Sequence, residues 1–183
     1  METDVNPAKD PLAVAVLLHP HPDFGGSRFH PFIDGMFHRL PDISVTSIRF
    51  DFTSADMTSA RAQVVAAIDE PAVHSRGLPA VIVGYSFGAG VAASVTDSCV
   101  AARYLLAPPL AMLEDAVIAD DPRPKAVVIP ERDQFSPPAS VAEELWTWRG
   151  TTFATIPGVD HFLGHVGPIV DNALAWIGKA VAA

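Results

Sequence analysis

Ser86, Asp133 and His161 lie far apart in the chain. Brought together, they would supply a nucleophile, an imidazole to take its proton and a carboxylate to orient that imidazole. That is the set acyl transfer needs. Their order along the chain, Ser then Asp then His, is one of those in which this chemistry recurs. Ser86 carries the strongest local mark. It sits at the centre of Gly84-Tyr85-Ser86-Phe87-Gly88, a Gly-x-Ser-x-Gly pentapeptide. Val81-Ile82-Val83 runs into it, and an Ala/Val-rich stretch from Gly90 to Val95 leaves it. This reads as a strand, a very tight turn and a helix, the context in which such a serine is a nucleophile held in strained backbone at the apex. Strand and helix backbones must then come very close, which requires small residues at Gly84 and Gly88. The helix starting at Phe87 aims free N–H groups at whatever sits over Ser86.

Other groups compete for the remaining roles. Glu131 and Asp115 are alternatives to Asp133, and His165 is an alternative to His161. An oxyanion needs N–H donors. The first is expected from Phe87, the residue after the nucleophile, and the second from the loop after the first long strand. In His19-Pro20-His21-Pro22 the two prolines have no N–H to give. His21 lies between them, and the His19 side chain is expected to brace the loop. His19, His21 and His161 could in principle ligate a metal. His-Pro-His is not a recurrent metal spacing, however, and no Cys or Glu cluster joins it, so neither metal nor cofactor is expected.

The elements that must position these groups alternate along the chain. Met1 to Pro11 reads as a polar leader. Leu12 to Leu18 is a continuous apolar run, suited to a strand buried on both faces. It ends in the Pro/Gly-rich loop from His19 to Gly26. A helix follows with Phe32, Ile33, Met36, Phe37 and Leu40 on one stripe. Ile43 to Phe52 reads as a strand, and Ala60, Val64, Ala67 and Ile68 give helical spacing up to Pro71. The strand Ala80 to Val83 leads into the turn at Ser86, with its helix reaching about Asp97. Val100 to Leu106 is a strand, Leu110 to Ala119 a short helical segment, and Lys125 to Pro130 a strand ending near Asp133. Ser136-Pro137-Pro138 opens a helix bearing Val141, Leu145 and Trp148. Thr151 to Ile156 reads as a short strand, Gly158 to Phe162 as a loop, and Pro168 starts a last helix. About six strands alternating with helices predict an α/β chain with a mainly parallel sheet covered on both faces. No internal repeat or second core is visible, so residues 12–183 read as one domain.

Composition narrows the class of partner. The 183 residues are 49% hydrophobic and 18% charged, which fits a folded chain with a real core. A net charge of −9, with scattered basic residues, disfavours nucleic acid and anionic membrane. One cysteine, Cys99, excludes an intrachain disulfide framework and fits a reducing compartment. No secretory signal and no long apolar run is seen, so a cytoplasmic location is expected.

On three motifs the chain resembles the α/β-hydrolase superfamily: Gly84-Tyr85-Ser86-Phe87-Gly88, Arg132-Asp133-Gln134-Phe135-Ser136-Pro137-Pro138, and Asp160-His161-Phe162. The opening Leu18-His19-Pro20-His21-Pro22 with Gly25-Gly26 is similar to a subgroup of small dienelactone-hydrolase-like proteins. The resemblance implies Ser86 as nucleophile, His161 as base, Asp133 as its partner, and the His21 position as second oxyanion donor. It also implies a minimal core lacking the family's first two strands, with strand order 4-3-5-6-7-8 in the family's naming. Phe50-Asp51-Phe52-Thr53-Ser54 departs from the Arg-Gly turn usual after the second strand of such proteins, which bears on one pocket wall. The stretch from Ala107 to Pro122 is too short for a helical lid. The expected activity is hydrolysis of a small carboxylic ester or thioester through an acyl-enzyme. A peptidase or amidase on the same triad, or a non-catalytic binding module on this fold, are the alternatives. The walls nearest Ser86 are expected from Phe24, Tyr85, Pro108, Pro109 and Phe162.

Overall fold

The computed structural model describes residues 2–70, 77–114 and 116–182. Strands β1 (Thr3–Asn6) and β2 (Ala13–Leu18) are followed by helix α1 (Pro31–Arg39), β3 (Val45–Phe50) and α2 (Met57–Ile68). Then come β4 (Ala80–Tyr85), α3 (Phe87–Ala93), β5 (Val100–Leu106), β6 (Lys125–Arg132), α4 (Pro138–Glu144), β7 (Thr151–Asp160) and α5 (Gly167–Ala182). The strands form one sheet in the order β1-β3-β2-β4-β5-β6-β7. All neighbours from β3 to β7 pair in parallel, and β1 pairs antiparallel with β3.

The parallel strands explain their own composition. A strand covered on both faces needs apolar side chains at successive positions, not alternate ones. Every residue of β2 and of β4 is buried. Their side chains alternate between two cores. Val16, Leu18 and Ile82 pack with α2, α3 and Leu145. Ala15, Leu17, Val81, Val83 and Tyr85 pack with Phe32, Ile33 and Met36 of α1 and with Ile169, Ala173 and Ile177 of α5. The sheet is therefore sandwiched, and the carboxyl ends of its strands are left free to carry loops.

Several boundaries differ from those expected. The leader contains β1, so the sheet has seven strands, and one antiparallel strand occupies the edge where the resemblance implied none. The reason is electrostatic and non-local: Asp4 accepts a hydrogen bond from the buried Arg49 of β3 at 3.0 Å, and Arg49 also pairs with Asp34 of α1 at 2.6 Å. The third strand is shorter than expected because Leu40–Ile43 forms a 3-10 turn before it. Helix α3 stops at Ala93, and Ser94 caps it by donating its hydroxyl to the Val91 carbonyl. Where a longer helical segment was expected there is a 3-10 turn over Leu110–Met112. Strand β7 runs through Pro157 and Gly158 to Asp160, with a register shift opposite Pro130 and Arg132. An edge strand tolerates this because an outward-facing position needs no ladder donor. Helix α2 ends at Ile68, ahead of the expected stop at Pro71, which itself lies outside the described residues. Among the described residues no helix is long and apolar enough to cross a membrane.

Candidate active site

Ser86 occupies the single residue between β4 and α3, with φ 52° and ψ −117°. For a residue with a β-carbon this is strained backbone, which persists only when its surroundings over-determine it. They do so here. The Ser86 N–H donates to the Leu106 carbonyl at 2.9 Å, and the Ser86 carbonyl accepts from the N–H groups of Ala89 and Gly90 at 2.9 and 3.1 Å. The two flanking glycines are required by space. A β-carbon on Gly84 would sit 2.4 Å from the Gly88 carbonyl oxygen, and one on Gly88 would sit 2.3 Å from that of Leu18. The turn thus presses strand, helix and the end of β2 into backbone contact.

His161 reaches this turn from the loop after β7. Its Nε2 lies 2.9 Å from Ser86 Oγ, and its Nδ1 lies 2.7 Å from Asp133 Oδ2. A carboxylate only accepts, so Nδ1 carries the proton and Nε2 is left to accept the serine hydroxyl proton. The other Asp133 oxygen, Oδ1, accepts the backbone N–H groups of Phe135 and Ser136, both at 2.9 Å. Both His161 and Asp133 are buried. The Tyr85 hydroxyl holds this segment from behind by donating to the His161 carbonyl at 2.6 Å. Burial, with Asp133 and Asp160 nearby, pushes the Tyr85 phenol well above its ordinary pKa, so it remains a donor.

The rival groups stand elsewhere. Glu131 is exposed and accepts the Gly158 N–H at 2.7 Å. His165 is exposed. Asp115 lies outside the described residues. Both ring nitrogens of His19 are engaged by backbone, with Pro20 O at 2.6 Å and Phe52 N at 2.9 Å. Among the described residues no group of three or more His, Cys, Asp or Glu could hold a metal ion.

Ser86 and His161 open into a cleft of about 590 Å³. His21 and Phe87, the expected oxyanion donors, both line it, and their rings meet edge to face at 5.1 Å. Of the expected walls, Phe24, Tyr85, Pro109 and Phe162 line the cleft. Pro108 does not. Its carbonyl instead accepts the hydroxyl of the buried Ser136 at 2.8 Å, tying the loop after β5 to the loop that carries Asp133. Sequence reasoning missed His30, Met112 and Phe135, which also line the cleft. Gly90 makes room for Met112, since a β-carbon there would lie 2.4 Å from the Met112 side chain. The His30 ring packs on Tyr85 at 4.8 Å, and burial lowers its pKa to about 4. Phe24, Phe162 and Phe135 are 86%, 66% and 58% exposed, so the cleft has an aromatic rim open to solvent.

No family model matches the sequence, and neither does any curated protein. Solved structures do resemble it. An α/β serine hydrolase homologue from Coxiella burnetii superimposes with a TM-score of 0.82 at 20% identity, over 97% of this chain and 89% of that one. An α/β serine hydrolase without a lid from Xanthomonas campestris gives 0.76 at 19% identity, over 98% and 85%. A dienelactone hydrolase from Anabaena variabilis gives 0.76 at 13% identity, over 97% and 88%. The seven-stranded sheet, the turn at Ser86 and these likenesses together establish the architecture: the chain has the α/β-hydrolase fold in its lid-less form.

Proposed function

We propose that this protein is a serine hydrolase that cleaves a small carboxylic ester or thioester through an acyl-enzyme. The observation that carries the reading is the unbroken relay from Ser86 Oγ to His161 Nε2 at 2.9 Å and from His161 Nδ1 to Asp133 Oδ2 at 2.7 Å. In this reading Ser86 attacks the acyl carbon as His161 takes the hydroxyl proton. Asp133 holds the imidazole in the correct tautomer and stabilises the imidazolium. The backbone N–H groups of Phe87 and His21 receive the oxyanion. His161 then returns the proton to the leaving oxygen or sulfur, and water, activated by the same imidazole, releases the acid. Every proton moved belongs to substrate, water or these side chains, so the chemistry calls for no cofactor.

The cleft supports a class of substrate. Among the described residues no Lys, Arg, Asp or Glu lines it. Phenylalanine, methionine and proline side chains line it beside His21, His30 and His161, so burial of an uncharged acyl group is favoured. The names of the Coxiella, Xanthomonas and Anabaena proteins are consistent with hydrolase chemistry on this fold. The single cysteine and the net charge of −9 fit a reducing, cytoplasmic setting and a small-molecule substrate. The test is turnover of p-nitrophenyl acetate and acetyl thiocholine by wild type and Ser86→Ala. Hydrolysis by wild type that falls to the solvent background in Ser86→Ala supports the reading. Equal rates in the two proteins overturn it.

A further inference from the structure

We propose that His30 is a specificity-determining residue of the cleft: its Nε2–H donates to an uncharged ketone, ether or hydroxyl oxygen that the substrate carries beyond its scissile carbonyl. The proposal rests on the serine-hydrolase reading above and narrows its substrate class from uncharged esters to those with a second oxygen acceptor.

His30 is the N-cap of α1 and is held at its backbone as well as at its ring. Its N–H donates to the Ser27 carbonyl at 2.9 Å, and its carbonyl accepts the Asp34 N–H at 2.8 Å. Ring Nδ1 lies 3.3 Å from the Phe32 N–H. A backbone N–H only donates, so Nδ1 is the unprotonated nitrogen. Burial, with His19 nearby, lowers the pKa to about 4, so the ring is neutral near pH 7 and its one proton sits on Nε2. That N–H finds no acceptor among the described residues, and unlike Arg28 Nε and Arg103 Nε it is not sealed from solvent. Since His30 lines the cleft, the donor opens into it.

Other polar side chains of the cleft are already engaged. Ser86 Oγ and His161 Nε2 hold each other, His161 Nδ1 holds Asp133, and the Tyr85 hydroxyl is spent on the His161 carbonyl. His21 packs its ring against Phe87 at 5.1 Å, which in the serine-hydrolase reading puts it beside the scissile carbonyl. His30 stands further off, across an aromatic spacer. The Tyr85 ring lies 4.8 Å from the His30 ring and 5.9 Å from that of His161, centroid to centroid. The free donor is thus set about one ring's width from the base. A substrate held at Ser86 spans that distance with a few further atoms.

An N–H open to solvent is satisfied by water until a substrate displaces it. A hydrocarbon tail that fills the cleft leaves this donor unpaired among apolar side chains, whereas an oxygen at the same place pairs with it. The difference between the two is the selectivity. Because the ring is neutral, the donor carries no charge that would call for an anion. A histidine that served only to cap α1 would set stability and leave the choice between such substrates untouched.

The test uses the full chain and two variants with opposite losses. His30→Asn keeps a good cap, but its amide ends near the Nδ1 position and falls short of Nε2. His30→Gln is a poor cap, but its amide N–H reaches close to the Nε2 position. The readout is the ratio of kcat/KM for an ester with the extra oxygen to that for its hydrocarbon isostere, so losses common to both cancel. On the acyl side, p-nitrophenyl 4-oxopentanoate and 5-oxohexanoate are set against 4-methylpentanoate and 5-methylhexanoate. On the alcohol side, 3-methoxypropyl butanoate is set against pentyl butanoate, followed by acid release. In His30→Asn the ratio on at least one side is expected to fall about fivefold from wild type, and that side locates the acceptor. In His30→Gln the same ratio is expected to stay within about twofold of wild type although the urea midpoint drops. A folded His30→Asn with both ratios unchanged overturns the proposal, as does a His30→Gln that loses as much selectivity as His30→Asn. Imidazole ¹⁵N spectra of the wild-type protein provide a check independent of variant folding: a neutral His30 ring with its proton on Nε2 is expected near pH 7, and a proton on Nδ1 overturns the proposal. Wild type that fails to react with a fluorophosphonate would instead bring down the serine-hydrolase reading itself.

Discussion

Gly88 lies directly against Leu18: a β-carbon at position 88 would come within 2.3 Å of the Leu18 carbonyl oxygen and 2.7 Å of that of His19. One close approach therefore sets the turn bearing Ser86 against the strand end that launches the His19–Gly26 loop. Gly88→Ala should be strongly destabilising, by about 3 kcal/mol or more, because the obstacle is backbone of two paired elements and cannot step aside. Urea denaturation reads this as a lower midpoint at unchanged slope. A midpoint within error of wild type would mean that the approach is looser than described.

Asp133→Asn should lower kcat by about 10⁴-fold while leaving the fold intact. Asn can still accept the Phe135 and Ser136 N–H groups through its oxygen, so the loop should hold. Its amide then faces His161 Nδ1, donor to donor, and drives the proton onto Nε2, where the Ser86 hydroxyl needs an acceptor. Steady-state kinetics on p-nitrophenyl acetate give the answer. Near-normal kcat would move the orienting role to another carboxylate.

These two sites also show what was legible in the sequence and what was not. The turn at Ser86 is written locally, because close backbone approach demands glycine at Gly84 and Gly88 whatever surrounds them. The buried strands were legible for a similar reason, since a two-faced strand must be apolar throughout. Strand β1 was not. Thr3-Asp4-Val5-Asn6 carries no apolar run, and its pairing depends on Arg49, far along the chain. The end of β7 was hidden by Pro157 and Gly158, which stop an inner strand but not this edge strand. The cleft walls were only partly legible. Pro108 and Pro109 are neighbours in sequence, and which one faces Ser86 is decided by the hydroxyl of Ser136. His30 and Met112 come from separate segments, and nothing in their own stretches marks a cleft; Phe135 lies in the stretch that carries Asp133, but spacing alone does not say which way its ring points.

Stability should fall as pH drops from about 6.5 towards 4. His19 and His30 both have pKa values lowered by burial, that of His30 to about 4. In the unfolded chain each takes up its proton near pH 6.5, while the folded state resists until lower pH, so the unfolded state binds more protons through this window. The stability present above pH 6.5 is then lost on acidification. His30 also caps α1 by accepting the Phe32 N–H at 3.3 Å. Asn is a good cap that does not titrate, so His30→Asn should keep α1 and flatten the slope between pH 6.5 and 4. Urea midpoints across that range check it, and an unchanged slope would show that His30 is not a contributor.

Acyl-chain preference should plateau early. Each buried methylene contributes about 0.8 kcal/mol, or about fourfold in kcat/KM if the gain is kept in the transition state. A cleft of about 590 Å³ open at an aromatic rim, with no lid domain among the described residues, can bury only the first few. Across p-nitrophenyl esters from acetate to palmitate, kcat/KM should rise over short chains and then level or decline, with no jump at the solubility limit. A steady rise to palmitate, or activation at an emulsion surface, would require a deeper tunnel or a mobile cover.

The most direct measurement is intact-mass analysis after exposure to a fluorophosphonate. Such a reagent phosphonylates a serine whose proton an adjacent base can take, and ordinary surface serines do not react. Wild type is expected to gain a single phosphonyl adduct, mapped by peptide mass to Ser86, at a rate that falls steeply in Asp133→Asn. Folded Ser86→Ala is expected to gain none. A wild-type protein that stays unmodified, or a Ser86→Ala protein modified as fast as wild type, would contradict the assignment of Ser86 as the activated nucleophile.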